Sequence, residues 1–285
     1  MRWKNRERSQ NVDDRRGNTV KRVGGGLGIG AILIAVFALI MGENPLQVIQ
    51  NLMSESGGNT QTVQTQTTPE EDALAELVSV VLKDTEDVWN KLFQEQFGKD
   101  YQEPKLVIFS GSVESACGFA QSATGPFYCP ADQSVYIDLS FYEDMKTKLN
   151  ASGEFALAYV IAHEVGHHVQ NLLGIINEVQ RQKQSLSQAD ANHMNVRLEL
   201  QADFFAGVWA HHAHKMKNIL ETGDIEAGLN AAAAVGADRM QMKARGYVVP
   251  DSFTHGTSEQ RVRWFRKGIQ NGKLNEGDTF SARTL

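Results

Sequence analysis

The chain has 285 residues, with 28 Lys+Arg against 34 Asp+Glu, 41% apolar residues and two cysteines. It is too apolar to be disordered throughout, too poor in cysteine for a disulfide framework, and too acidic, at a net charge of −6, to hold nucleic acid through its phosphates. That total hides a division: residues 1–22 carry 8 basic and 3 acidic residues, a net +5, and the remainder carries 20 and 31, a net −11.

The first predicted element follows the basic segment. Residues 23–42 contain no charge, and 20 helical residues at 1.5 Å each cover about 30 Å, one hydrocarbon thickness. Arg15, Arg16, Lys21 and Arg22 precede the run and Glu43 follows it. The positive-inside bias therefore predicts a cytoplasmic N-terminus over 1–22, one transmembrane helix over 23–42 and an exported remainder. A cleaved signal peptide fits less well, because Ile40 stands where a small residue is wanted. A buried hydrophobic hairpin in a soluble protein is the other alternative. Gly24-x-x-x-Gly28 and Gly26-x-x-x-Gly30 would let two membrane helices pack as a homodimer. Residues 43–68, rich in Ser, Thr, Gln and Gly toward their end, read as a flexible linker.

The folded domain is expected over 69–285. Thr68-Pro69-Glu70-Glu71 has capping-box spacing with proline at the first helical position. Leu74, Leu77, Val78, Val81, Val88, Leu92 and Phe93 follow at helical spacing. Leu106–Phe109 and Val135–Leu139 read as strands of a small antiparallel sheet, with turn signals between them. After Asn150 the pattern is helical to about Gln241, so the expected class is α+β. Cys117 and Cys129 lie in the exported part and are expected to pair; closing so short a loop stabilises by roughly 3 kcal/mol in the chain-entropy model. A pair of metal thiolates is the alternative, but no histidine lies between 101 and 150.

All eight histidines fall after residue 160. The first cluster is His163-Glu164-Val165-Gly166-His167, an H-E-x-x-H pattern. Its histidines, four apart on a helix, share one face and can bind one zinc ion, and the intervening glutamate can act as general base. A catalytic zinc needs a third protein ligand. Histidine six residues after the second is excluded, since Leu173 stands there. Glu199, in Glu199-Leu200-Gln201-Ala202-Asp203, fits on a second helix capped by Ser187. Asp203 on the same face would receive the back nitrogen of a ligand histidine. Ala202, Ala206 and Ala210 would let the two helices approach closely. Glu178, His193 and His211 remain alternative third ligands, and His168 lies off the ligand face.

These motifs resemble gluzincin metallopeptidases. With Gly125-Pro126-Phe127-Tyr128-Cys129-Pro130 and Pro250-Asp251-Ser252-Phe253-Thr254-His255-Gly256-Thr257-Ser258, the chain resembles the bacterial "putative neutral zinc metallopeptidase" family over nearly its whole length. The resemblance implies a zincin-like domain in the periplasm, tethered to the inner membrane and holding one catalytic Zn2+. Thr254–Arg261 also resembles a segment near the zinc of membrane-embedded heat-shock and CAAX-type proteases, with Gly256 in place of a proline. That likeness implies His255 and Arg261 in the site, where a donor could stabilise an oxyanion. The expected function is a membrane-anchored zinc peptidase acting on a peptide or protein substrate, with no nucleic-acid partner. The alternative is a catalytically inactive zinc-binding envelope scaffold.

Overall fold

The computed structural model describes residues 1–17 and 67–285, which contain eight α-helices, a four-stranded sheet and a two-stranded hairpin. Helix α1 (Pro69–Phe97) begins as its sequence dictates: Thr68 and Glu71 exchange both capping-box hydrogen bonds, and Gly98 ends it in the left-handed region. Its apolar stripe, including Val78, Val81, Val88 and Trp89, is fully buried.

The sheet runs β1 (Val12–Asp14), β2 (Lys105–Phe109), β6 (Ser134–Asp138), β5 (Phe127–Cys129). It is mixed, which corrects the antiparallel expectation. β1 pairs parallel to β2, with Val12 opposite Leu106, and β2 pairs parallel to β6, with Ile108 opposite Ile137. Only β5 is antiparallel to β6 in this sheet. The physical reason lies in β2. Leu106 and Ile108 join the main core while Val107 and Phe109 enter a smaller one on the opposite face, and strands buried on both faces are typical of parallel pairing. The stretch between β2 and β6 is long enough to cross over. It includes the hairpin of β3 (Ser112–Ser115) and β4 (Gly118–Gln121). Cys117 and Cys129 form a disulfide that ties the hairpin turn to β5.

The remaining helices are α2 (Phe141–Thr147), α3 (Glu154–Leu172), α4 (Ile175–Lys183), α5 (Gln188–Lys217), α6 (Asp224–Ala234), α7 (Ala237–Arg245) and α8 (Ser258–Asn271). Two glycine contacts bring the central helices together. A Cβ on Gly166 of α3 would stand 2.9 Å from the Ala202 carbonyl of α5. On the far side of α5, Gly207 lies against the α8 backbone, where a Cβ would meet the Phe265 carbonyl at 2.2 Å. Helix α5 is thus clasped between α3 and α8.

Residues 1–17 pack against the fold formed by residues 67–285. Trp3 is buried, β1 extends the sheet, and the Arg2 amide donates to the Ile219 carbonyl. Arg6 and Lys217 share the buried carboxylate of Asp84, and Arg8 and Arg16 pair with Glu76 and Asp72 of α1. The expected span 23–42 and nearly all of the linker 43–68 lie outside the described residues. Among the described residues no helix is long and apolar enough to cross a membrane.

Candidate metal centre

His163 and His167 sit one turn apart on α3, with ring centroids 4.8 Å apart, and face Glu199 on α5. The Gly166–Ala202 contact lies between these ligand pairs and sets the helices close enough for short side chains to meet. His163 Nε2 stands 3.2 Å from Glu199 Oε2, and His167 Nε2 stands 3.5 Å from Glu199 Oε1. One ligand atom from each residue lies within 4.8 Å of the others. Ligands about 2.0–2.1 Å from a tetrahedral zinc are about 3.3 Å from each other, so this donor set fits zinc. Of the rival third ligands, Glu178 bonds Arg181 and Gln182, His193 is exposed, and His211 Nδ1 faces the Ile269 carbonyl.

Both histidines have their back nitrogens occupied. His163 Nδ1 donates to Asp203 Oδ1 at 2.8 Å. Asp203 has no exposed surface. Burial alone would raise its pKa, but the Arg261 guanidinium and His163 outweigh burial and hold the carboxyl at about 2. Tyr159, one turn before His163, also donates to Asp203. His167 Nδ1 donates to Gln170 Oε1 at 2.9 Å. Each ring therefore turns Nε2 toward the shared position. Burial would also raise Glu199, yet the histidines around it hold its carboxyl well below the usual range.

Glu164 projects from the same turn and is 9% exposed. Burial pushes its carboxyl up, partly countered by His163 and His167. His255, in the loop before α8, brings Nε2 to 3.7 Å from Glu199 Oε2, and its side chain is 45% exposed. Gly256 beside it packs closely on α5, where a Cβ would lie 2.6 Å from Leu200 Cδ2. Arg261 differs from expectation. It is 3% exposed, and its Nε and one terminal nitrogen each donate to an Asp203 oxygen at 2.8 Å. The guanidinium thus sits behind the His163 ring, committed to Asp203 and withdrawn from any oxyanion.

His168 points away from the centre. Its Nε2 donates to the Gln102 carbonyl and its Nδ1 accepts from Tyr128, and burial lowers its pKa to about 4. Sequence reasoning missed Tyr159 and Gln170. Their spacing from the ligand histidines, four and three residues, was the available signal.

No solved structure matches the chain. It is 49% identical over 286 residues to "Uncharacterized protein YpfJ" of Escherichia coli (strain K12), covering 98% of this chain and 99% of that one. It is 45% identical over 195 residues to "Uncharacterized protein Rv2575" of Mycobacterium tuberculosis (strain ATCC 25618 / H37Rv), covering 65% of each. A family model matches residues 1–280, and the chain belongs to that family, described as "Putative neutral zinc metallopeptidase".

Proposed function

We propose that this protein is a zinc-dependent peptidase of gluzincin type with a zincin-like domain. The observation that carries this reading is the convergence of His163, His167 and Glu199 with Glu164 on the same turn of α3. A structural zinc would be closed by a fourth protein ligand, whereas the cluster among the described residues stops at three. When bound, zinc supplies Lewis acidity that polarises a peptide carbonyl and acidifies water. His163, His167 and Glu199 hold the ion. Glu164 accepts the proton of the attacking water and delivers it to the departing amine. Its burial favours the protonated form, which suits that delivery. His255, at the mouth of the site, is placed to donate to the developing oxyanion.

The Cys117–Cys129 disulfide supports an oxidising compartment, which for a bacterial chain is the periplasm. The uncharged run 23–42 supports attachment to the inner membrane. The attachment keeps the N-terminal segment and the metal centre on one face.

The test is a peptide library digested by the zinc-loaded full chain and by Glu164→Gln. The variant should bind zinc as the wild type does and cleave at least about 100-fold more slowly. Equal cleavage by both proteins would overturn the role of Glu164; no cleavage by a zinc-loaded wild type would leave the scaffold reading.

A further inference from the structure

The two ligand histidines are held from behind by different chemistry. Asp203 backs His163 with a charge. Gln170, which has no exposed surface, backs His167 with a neutral amide. The Gln170 amide has only one orientation consistent with its surroundings. Its nitrogen donates to the Leu198 carbonyl at 2.7 Å and to Gln201 Oε1 at 3.1 Å, and both partners are acceptors there. Gln201 is fixed in turn, since its own nitrogen donates to the Gly277 carbonyl at 3.0 Å. The chain of donors runs from His167 through Gln170 to Leu198, the residue before Glu199. A second branch leaves Gln170 through Gln201 and ends on the Gly277 carbonyl.

The far end of the chain is held firmly. A Cβ on Gly277 would come 2.4 Å from the Phe204 ring, so this carbonyl lies tight against α5. Arg197 donates to the Phe280 and Ala282 carbonyls, and Thr279 donates back to the Arg197 carbonyl. The segment after α8 is thereby strapped along the helix that presents Glu199.

We propose that Gln170 and Gln201 are positioning residues of the metal centre, an amide relay by which the 277–282 segment fixes the ring and tautomer of His167. An amide suits this place electrostatically. Asp203 already places one carboxylate behind the ligands, paired with Arg261, and a second behind His167 would have no such buried cation beside it. A glutamine fixes Nδ1–H as a donor without adding that charge. The relay rests on the zinc centre proposed above, but not on its hydrolytic activity.

The test is zinc affinity, measured by competition with a chromophoric chelator on the full chain, together with thermal unfolding of the metal-free proteins. Gln170→Leu removes the acceptor and should weaken zinc binding by about 10–100-fold. Gln170→Glu restores an acceptor for His167 Nδ1–H but cannot donate to the Leu198 carbonyl and adds a charge, so it should recover affinity only in part, by about 3–10-fold over Gln170→Leu. Gln201→Leu touches no ligand and should still weaken binding several-fold, which keeps the relay testable if Gln170→Leu fails to fold. Affinity within twofold of wild type for both leucine variants would overturn the relay. So would a Gln170→Glu protein that binds as poorly as Gln170→Leu, since the residue would then act by packing alone. A wild type that binds no zinc would overturn the centre itself, an outcome distinct from either.

Discussion

Arg261 holds Asp203 by two parallel hydrogen bonds of 2.8 Å each, in a pocket closed to solvent behind the His163 ring. Removing one member of such a pair leaves a buried charge alone, which typically costs about 3–5 kcal/mol. Arg261→Met should therefore lower unfolding free energy by that order. The double variant Asp203→Asn/Arg261→Met should lose clearly less than the two single losses combined, as read from denaturant melts of the metal-free proteins. Arg261→Lys should recover only part, because one ammonium cannot span both carboxylate oxygens as the planar fork does.

The helix spacing at the centre depends on Gly166. Any side chain there meets the Ala202 backbone, and neither helix can retreat, since α5 is held from behind by α8. Gly166→Val should cost about 1–3 kcal/mol through overpacking and strain. It should also weaken zinc binding more than its loss of stability would suggest, because it separates the helices at the level of the ligands. Wild-type zinc affinity in a folded Gly166→Val protein would contradict this.

His168 predicts a pH dependence. Burial holds its folded pKa at about 4, against an ordinary 6.5. Above pH 6.5 the ring is neutral in both states and its contribution to stability is fully present. Between 6.5 and 4 the unfolded chain takes a proton that the folded chain refuses, so about 3 kcal/mol is lost as pH falls. The free-energy difference between wild type and His168→Asn, followed in metal-free protein from pH 7 to pH 4, should shrink by about that amount. A constant difference would exclude His168 as the source.

The packing of residues 1–17 on the domain predicts sidedness. Arg8 is half-exposed on the N-terminal segment, and Met216 is 40% exposed at the end of α5. Both native cysteines are in the disulfide, so Arg8→Cys and Met216→Cys each introduce a single thiol. A membrane-impermeant maleimide applied to intact spheroplasts should label both positions or neither. Labelling of one alone would contradict the fold of the N-terminal segment.

The His163, His167 and Glu199 cluster was legible because its residues lie on helices, where spacings of four residues encode a shared face whatever the tertiary context. The caps at Thr68 and Ser187 were legible for the same local reason. The sheet was not. β1 meets β2 across a long separation in sequence, and no local pattern fixes the direction of that pairing. The packing of the basic N-terminus on the domain was not legible either. Arg6, Arg8 and Arg16 reach acids on α1, so part of the positive charge of the basic segment is complemented within the fold. Gln170 and Gln201 escaped notice because a glutamine has no motif; its role depends on which way an amide faces.

The parallel pairing of β1 with β2 also constrains the order of assembly. A ribosome delivers residues 1–17 before their partners: the strand they contain pairs with residues 105–109, and the Arg2 amide donates to Ile219. Closing so long a chain segment onto the sheet edge carries an entropic cost that must be met by contacts made elsewhere beforehand. Residues 1–17 therefore dock only after the partners that follow them by about 90 to 200 residues have been made.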